Sequence, residues 1–179
     1  LEKFAGICRV VKGMKRIRVG AIGARPAAFN TVRYSEKILQ SWGIGVETLD
    51  LSEVFGQADA LTDTAKSVKN KPEAIRGYCG PKGVADLALV KMARLGVVLD
   101  RFIKDNDIDI LSLQCWTAME TYYGVVPCTL MSMLSNSLVP AACEVDVGGA
   151  LGMYALQLAS GSPSSILDWN NNYANDPDK

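Results

Sequence analysis

Two carboxylates in "ACEVDVGGALG" (residues 142–152), Glu144 and Asp146, sit between small apolar residues and then run into glycines. Carboxylates in such company need a partner, because burying an unpaired charge is costly. A second acid follows at Asp168, in "ILDWNNNY", beside Trp169 and Asn170, and "LSLQCW" carries Gln114 and Trp116. Two carboxylates brought to one place form an oxygen-rich site for a hard divalent cation, Mn²⁺ or Mg²⁺ rather than zinc. They are also groups that can take and return protons. A plainer reading stands beside this one, in which Glu144 or Asp146 caps the following helix and Asp168 begins a turn. Trp116 and Trp169 either stack on a sugar face or close the core.

Other candidates carry less. The glycines of "DVGGALG" lack the lysine and Ser/Thr of a P-loop, and "GAIGARPAAF" is an incomplete nucleotide motif. Close packing of a helix start explains the first more simply. Cys115, Cys128 and Cys143 have no histidine in the chain to activate them, since it contains none, and read as small core residues.

The elements that must position these residues alternate. A buried strand over residues 16–26 ends in a glycine-rich turn, and a helix over 30–43 follows with Asn30 as its N-cap and Gly43 at its C-terminal end. Residues 45–51 form a second strand, and residues 52–71 short polar helical pieces. A long helix spans residues 81–107, with Val84, Leu87, Ala88, Leu95, Val98 and Phe102 at helical spacing. Residues 108–116 make a strand and 126–140 a helix with a Met-rich core face. "AACEV" makes a strand, 148–161 a helix, and "PSSILDWNNN" a last strand and turn. This order predicts one α/β domain over residues 1–179: a three-layer, mostly parallel, doubly wound (Rossmann-like) sheet with helices on both faces. Strand ends line the ligand crevice of such sheets, and right-handed crossover would bring Glu144 and Asp168 to neighbouring strands. Asp146 faces the same way as Glu144 if the strand continues.

The motifs "LSLQCW", "ACEVDVGGALGMYAL" and "ILDWNNNY", in that order, resemble the central α/β domain of the L-fucose isomerase and L-arabinose isomerase family, and "RVGAIGARPAAF" is similar to that domain's opening strand and loop. The resemblance implies a metal-dependent aldose–ketose isomerase acting through an enediol. It places Glu144 and Asp168 as metal ligands and acid/base groups. Gln114 and Trp116, and with them Trp169 and Asn170, become the residues near a monosaccharide substrate. It also implies a homo-oligomer, and a third metal ligand, a histidine, from outside this chain. On that reading the chain is the central part of a longer polypeptide and inactive alone. The competing readings are a non-catalytic sugar- or nucleotide-binding module and a pseudo-enzyme.

Composition bounds the rest. The 179 residues are 49% hydrophobic and 21% charged, with 19 basic and 19 acidic residues. A net charge of zero makes no electrostatic case for nucleic acid or an anionic membrane. Five cysteines without a C-x-x-C pair point to a reducing compartment, and no apolar run reaches the roughly 18 residues of a membrane helix. The expected setting is the cytoplasm.

Overall fold

The computed structural model describes residues 1–80 and 82–167. Among them are four strands, β1 (Ile17–Ile22), β2 (Ile44–Leu49), β3 (Ile110–Leu113) and β4 (Ala141–Cys143), all parallel and in the spatial order β2-β1-β3-β4. The helices are α1 (Glu2–Gly13), α2 (Glu36–Ser41), α3 (Leu51–Asp59), α4 (Lys66–Lys69), α5 (Lys71–Cys79), α6 (Asp86–Asp105), α7 (Cys128–Asn136) and α8 (Val147–Ser160). The expected parallel, three-layer α/β architecture is what the chain adopts.

Side chains alternate across the strands and feed one core on each face. Ile17, Val19, Ala21, Ile44, Ile110 and Ala142 pack with Val147, Ala150, Leu151 and Met153 of α8. Ile22, Leu111, Leu113 and Ala141 pack on the other face with Leu95, Val98 and Leu99 of α6 and the apolar residues of α3, α5 and α7. Strands buried on both faces read as unbroken apolar runs, which is why "ILSL" is legible as a central strand. At Gly20 the sheet and α6 pack closely: a Cβ there would lie 2.7 Å from the Phe102 ring and 2.9 Å from Leu111, so those side chains would have to give way. A reciprocal clasp joins α6 to the π-helical turn Met119–Tyr123: Lys91 Nζ donates to the Tyr123 carbonyl and Tyr123 Oη donates to the Lys91 carbonyl, each at 2.9 Å.

Several boundaries differ from the sequence expectations. The helix expected from Asn30 is a short 3₁₀ turn, Asn30–Val32, and α2 starts later, with Ser35 Oγ accepting from the Ile38 N–H. The reason is local: the Arg25 guanidinium donates to the carbonyls of Pro26, Ala27 and Phe29, holding that stretch in a loop. In the long helix, α6 begins at Asp86, so Val84 precedes it, and Leu87 is exposed rather than core. The helix α1 had no counterpart in the sequence reading. The strand expected over "AACEV" ends at Cys143. Of the last expected strand, residues 163–167 are irregular, and Asp168, Trp169 and Asn170 lie outside the described residues. No helix among the described residues is long and apolar enough to cross a membrane.

Candidate functional site

The strand order reverses direction between β1 and β3, and the crevice of such a sheet opens beyond the carboxyl ends of the strands at that point. Gln114 stands there, one residue past β3. Its backbone N–H continues the ladder to the Ile22 carbonyl at 2.8 Å. Its side-chain oxygen accepts from the Ala24 N–H at 2.8 Å, and its amide nitrogen donates to the Trp116 carbonyl at 3.0 Å. Gly23, at φ +82°, makes that closure possible, because a Cβ would press into the Gln114 side chain. Trp116 is half exposed and meets Phe29 edge-to-face, with centroids 5.3 Å apart. Gln114 and Trp116 therefore share the β1–β3 crevice, and Gln114 also braces its rim.

One strand over, the chain leaves β4 through an unusual turn. Glu144 and Val145 both have left-handed backbones, at φ +59° and +55°. That region disfavours residues with a Cβ, and a β-branched residue most of all, so the surroundings must hold it. They do so by hydrogen bonds and burial: the Asp146 N–H donates to the Cys143 carbonyl at 2.9 Å, and Val145 is 3% exposed in the α8-side core. The strand does not continue through Asp146, so the condition under which Asp146 would face the same way as Glu144 is not met. Asp146 is instead the N-cap of α8, its carboxylate accepting from the Gly149 N–H at 2.8 Å. A Cβ on Gly149 would collide with that carboxylate and with Ile166, so this glycine serves the cap and the packing of residues 163–167. The reading of the glycine run as helix packing rather than a phosphate cradle agrees with this geometry.

Glu144 and Asp146 line a cleft of about 350 Å³ with Phe29, Thr31, Cys143 and Leu167. Phe29 belongs to it and touches Trp116, so the two crevice walls are continuous. The segment ahead of Asp168 thus reaches this cleft through Ile166 and Leu167. Among the described residues no three His, Cys, Asp or Glu side chains are grouped to hold a metal ion. Asp146 is engaged as the cap of α8, and Glu144 stands beside it in the cleft wall.

The sequence reading missed one grouping. In the sequence Cys115, Cys128 and Cys143 read as separate small core residues, yet their thiols influence one another. Hydrogen bonding between Cys128 and Cys143 is the largest cause of both their shifts: it holds the Cys128 thiol down to about 6 and pushes the Cys143 thiol up. Burial, and then the Cys128 charge, push Cys115 up to about 12. The signal was topological. Leu113 pairs with Cys143 in the β3–β4 register, Cys115 lies just beyond it, and Cys128 opens the helix that joins the two strands.

No family model matches the chain. It is similar to the sulfoquinovose isomerase of Clostridium sp. (strain MSTE9), at 29% identity over 171 residues, or 94% of this chain and 38% of that protein. The sulfoquinovose isomerases of Priestia aryabhattai and Priestia megaterium (strain ATCC 12872 / QMB1551) are each 24% identical over 170 residues, 93% of this chain and 37% of their own length. The chain thus spans well under half the length of the curated relatives it matches.

Proposed function

We propose that this chain is part of an aldose–ketose sugar isomerase, whose site is the crevice beyond β3 and β4. The observation that supports this reading is the strained exit from β4 at Glu144, in a chain similar over 94% of its length to a sulfoquinovose isomerase. Backbone strain of this kind clusters at functional sites. A closer kinship to the L-fucose and L-arabinose isomerases, and the dependence on metal, belong to this proposal.

The chemistry asks for a base at the carbon next to a carbonyl and an acid that returns the proton to its neighbour. Glu144 and Asp168 take these two roles. Gln114 already spends one amide N–H on Trp116 and carries a second for a sugar hydroxyl. Trp116 and Trp169 offer ring faces to the sugar, and Asn170 a further polar contact. Glu144 and Asp168 would also hold Mn²⁺ or Mg²⁺, with a histidine from outside this chain as third ligand. When bound, such a cation supplies positive charge for the enediolate oxygens. Residues beyond this chain complete the pocket, and a homo-oligomer is part of the same reading.

The test is isomerisation of sulfoquinovose, and then of other aldoses, by the intact protein with added Mn²⁺. Glu144→Gln is expected to lower kcat by ~10²-fold or more while the circular dichroism spectrum is unchanged. Full activity in that variant would overturn the assignment. Calorimetric sugar binding in chelator without turnover by the intact protein would favour a binding module instead.

A further inference from the structure

Helix α1 is built the wrong way round for a surface helix, which ordinarily turns its apolar stripe inward and its polar face to solvent. Here the inward face is Gly6, Arg9 and Gly13, at i, i+3 and i+7. A Cβ on Gly6 would stand 3.0 Å from the Ala159 carbonyl oxygen, and one on Gly13 would collide with Leu158. The Arg9 guanidinium donates to the Leu158 and Ala159 carbonyls at 2.8 and 2.9 Å, closing the last turn of α8. The opposite face carries Phe4, Ile7, Cys8 and Val11. Phe4 is 67%, Ile7 52% and Val11 55% exposed, and Cys8 is exposed with them. No residue of α1 joins either core among the described residues. Beside the stripe runs an open groove of about 330 Å³, lined by Ile7, Val10, Val11 and Ala159.

We infer that this face is an internal docking surface, covered in the intact protein by an apolar segment of the same polypeptide from outside residues 1–179, with acidic residues along its edges. Three observations choose that occupant. The chain matches only 38% of the Clostridium relative, so a protein of that build has more than half of its polypeptide outside these residues. A tethered segment docks without the entropy cost of bringing two molecules together. The stripe is also small: α1 has 12 residues, a rise of about 18 Å. One helix face of that length falls short of the roughly 800 Å² per partner of a stable dimer. The charges point the same way. Lys3 and Lys12 flank the stripe on its two sides and Lys15 and Arg16 follow. A second copy would set basic flanks against basic flanks, whereas an acidic-edged segment would pair with them. The surface is separate from the crevice, because α8 runs about 20 Å from its cap at Asp146 in the cleft to Ala159 under α1. This inference uses the relatives' length and owes nothing to their chemistry.

Cys8 reports on the face directly. N-ethylmaleimide labelling of the intact protein, read by peptide mass spectrometry, should find Cys8 ~10-fold or more slower in the native state than in urea. Equal rates in the two states would overturn the inference. A Phe4→Asp/Val11→Asp double variant removes no core residue and should restore fast labelling of Cys8; protection that survives it would come from something other than docking on this face. The slow rate should also hold through a ~1,000-fold dilution. A rate that recovers on dilution would assign the face to a second copy instead. Carbodiimide cross-linking should join Lys3 or Lys12 to an Asp or Glu outside residues 1–179 in a species of monomer mass, and links confined to a species of dimer mass would count against the tethered segment. None of these readouts involves sugar turnover. An active isomerase with an unprotected Cys8 sinks this inference alone, and an inactive protein with a protected Cys8 sinks the isomerase reading alone.

Discussion

Cys128 shows how much a single side chain owes to its neighbours. Interaction with the Cys143 thiol, then with Cys115 and the backbone at the start of α7, lowers its pKa, while burial and the Glu144 charge oppose. Tyr78 of α5 lines a cavity with Cys128 and Cys143. The balance holds the Cys128 thiol at about 6, so its thiolate persists through neutral pH and is lost only as the pH falls through that value. Alkylation by iodoacetamide, followed per cysteine by mass spectrometry, should therefore rise through about pH 6 at Cys128. A rise at Cys128 only near the ordinary thiol value of about 8.5 would show that its neighbours do not govern it. Glu144 is the other residue whose setting matters more than its type. Its left-handed backbone was not legible, because "ACEVD" carries no glycine or asparagine to announce it.

Among the elements, α8 shows local and tertiary signals in agreement. Asp146, three residues before Gly149, is a standard N-cap spacing, and the cap was one of the two readings open for that carboxylate. Asp146→Ala should lower stability by about 1 kcal/mol, read as a reduced urea midpoint with an unchanged slope. An unaltered midpoint would mean that burial of Val147, Ala150 and Leu151 alone sets the start of α8. The helix expected at Asn30 shows the opposite case. Asn30 has the right chemistry for a cap, but Arg25 had already claimed the carbonyls around it, and the helix began at Ser35's neighbour instead. A cap signal names a residue that can start a helix, and competing hydrogen bonds nearby select which one does.

At the scale of the molecule, α6 is the brace on which the sheet's second face rests. Leu99 is 1% exposed within the core shared with Leu111 and Leu113, and its truncation leaves a hole those neighbours cannot fill. Leu99→Ala should cost ~2–5 kcal/mol in thermal or urea unfolding, and a loss under ~1 kcal/mol would show that the core there relaxes freely. The same scale explains what brings the crevice residues together. Gln114 and Glu144 follow strands that pair directly, and Phe29 arrives from a loop 87 residues away in sequence to touch Trp116.

Periodicity and composition, read from the sequence alone, determined the alternation of strands and helices, the parallel α/β class and the helix that follows Asp146. These depend on near neighbours: apolar runs, cap residues and turn glycines act within a few positions of themselves. Tertiary structure decided the rest. It ended β4 before Glu144, turned Gln114 into a brace across two strands, and gathered three cysteines that looked unrelated. Those outcomes rest on contacts between residues far apart in the chain, and no local pattern records which distant groups a fold will bring within reach.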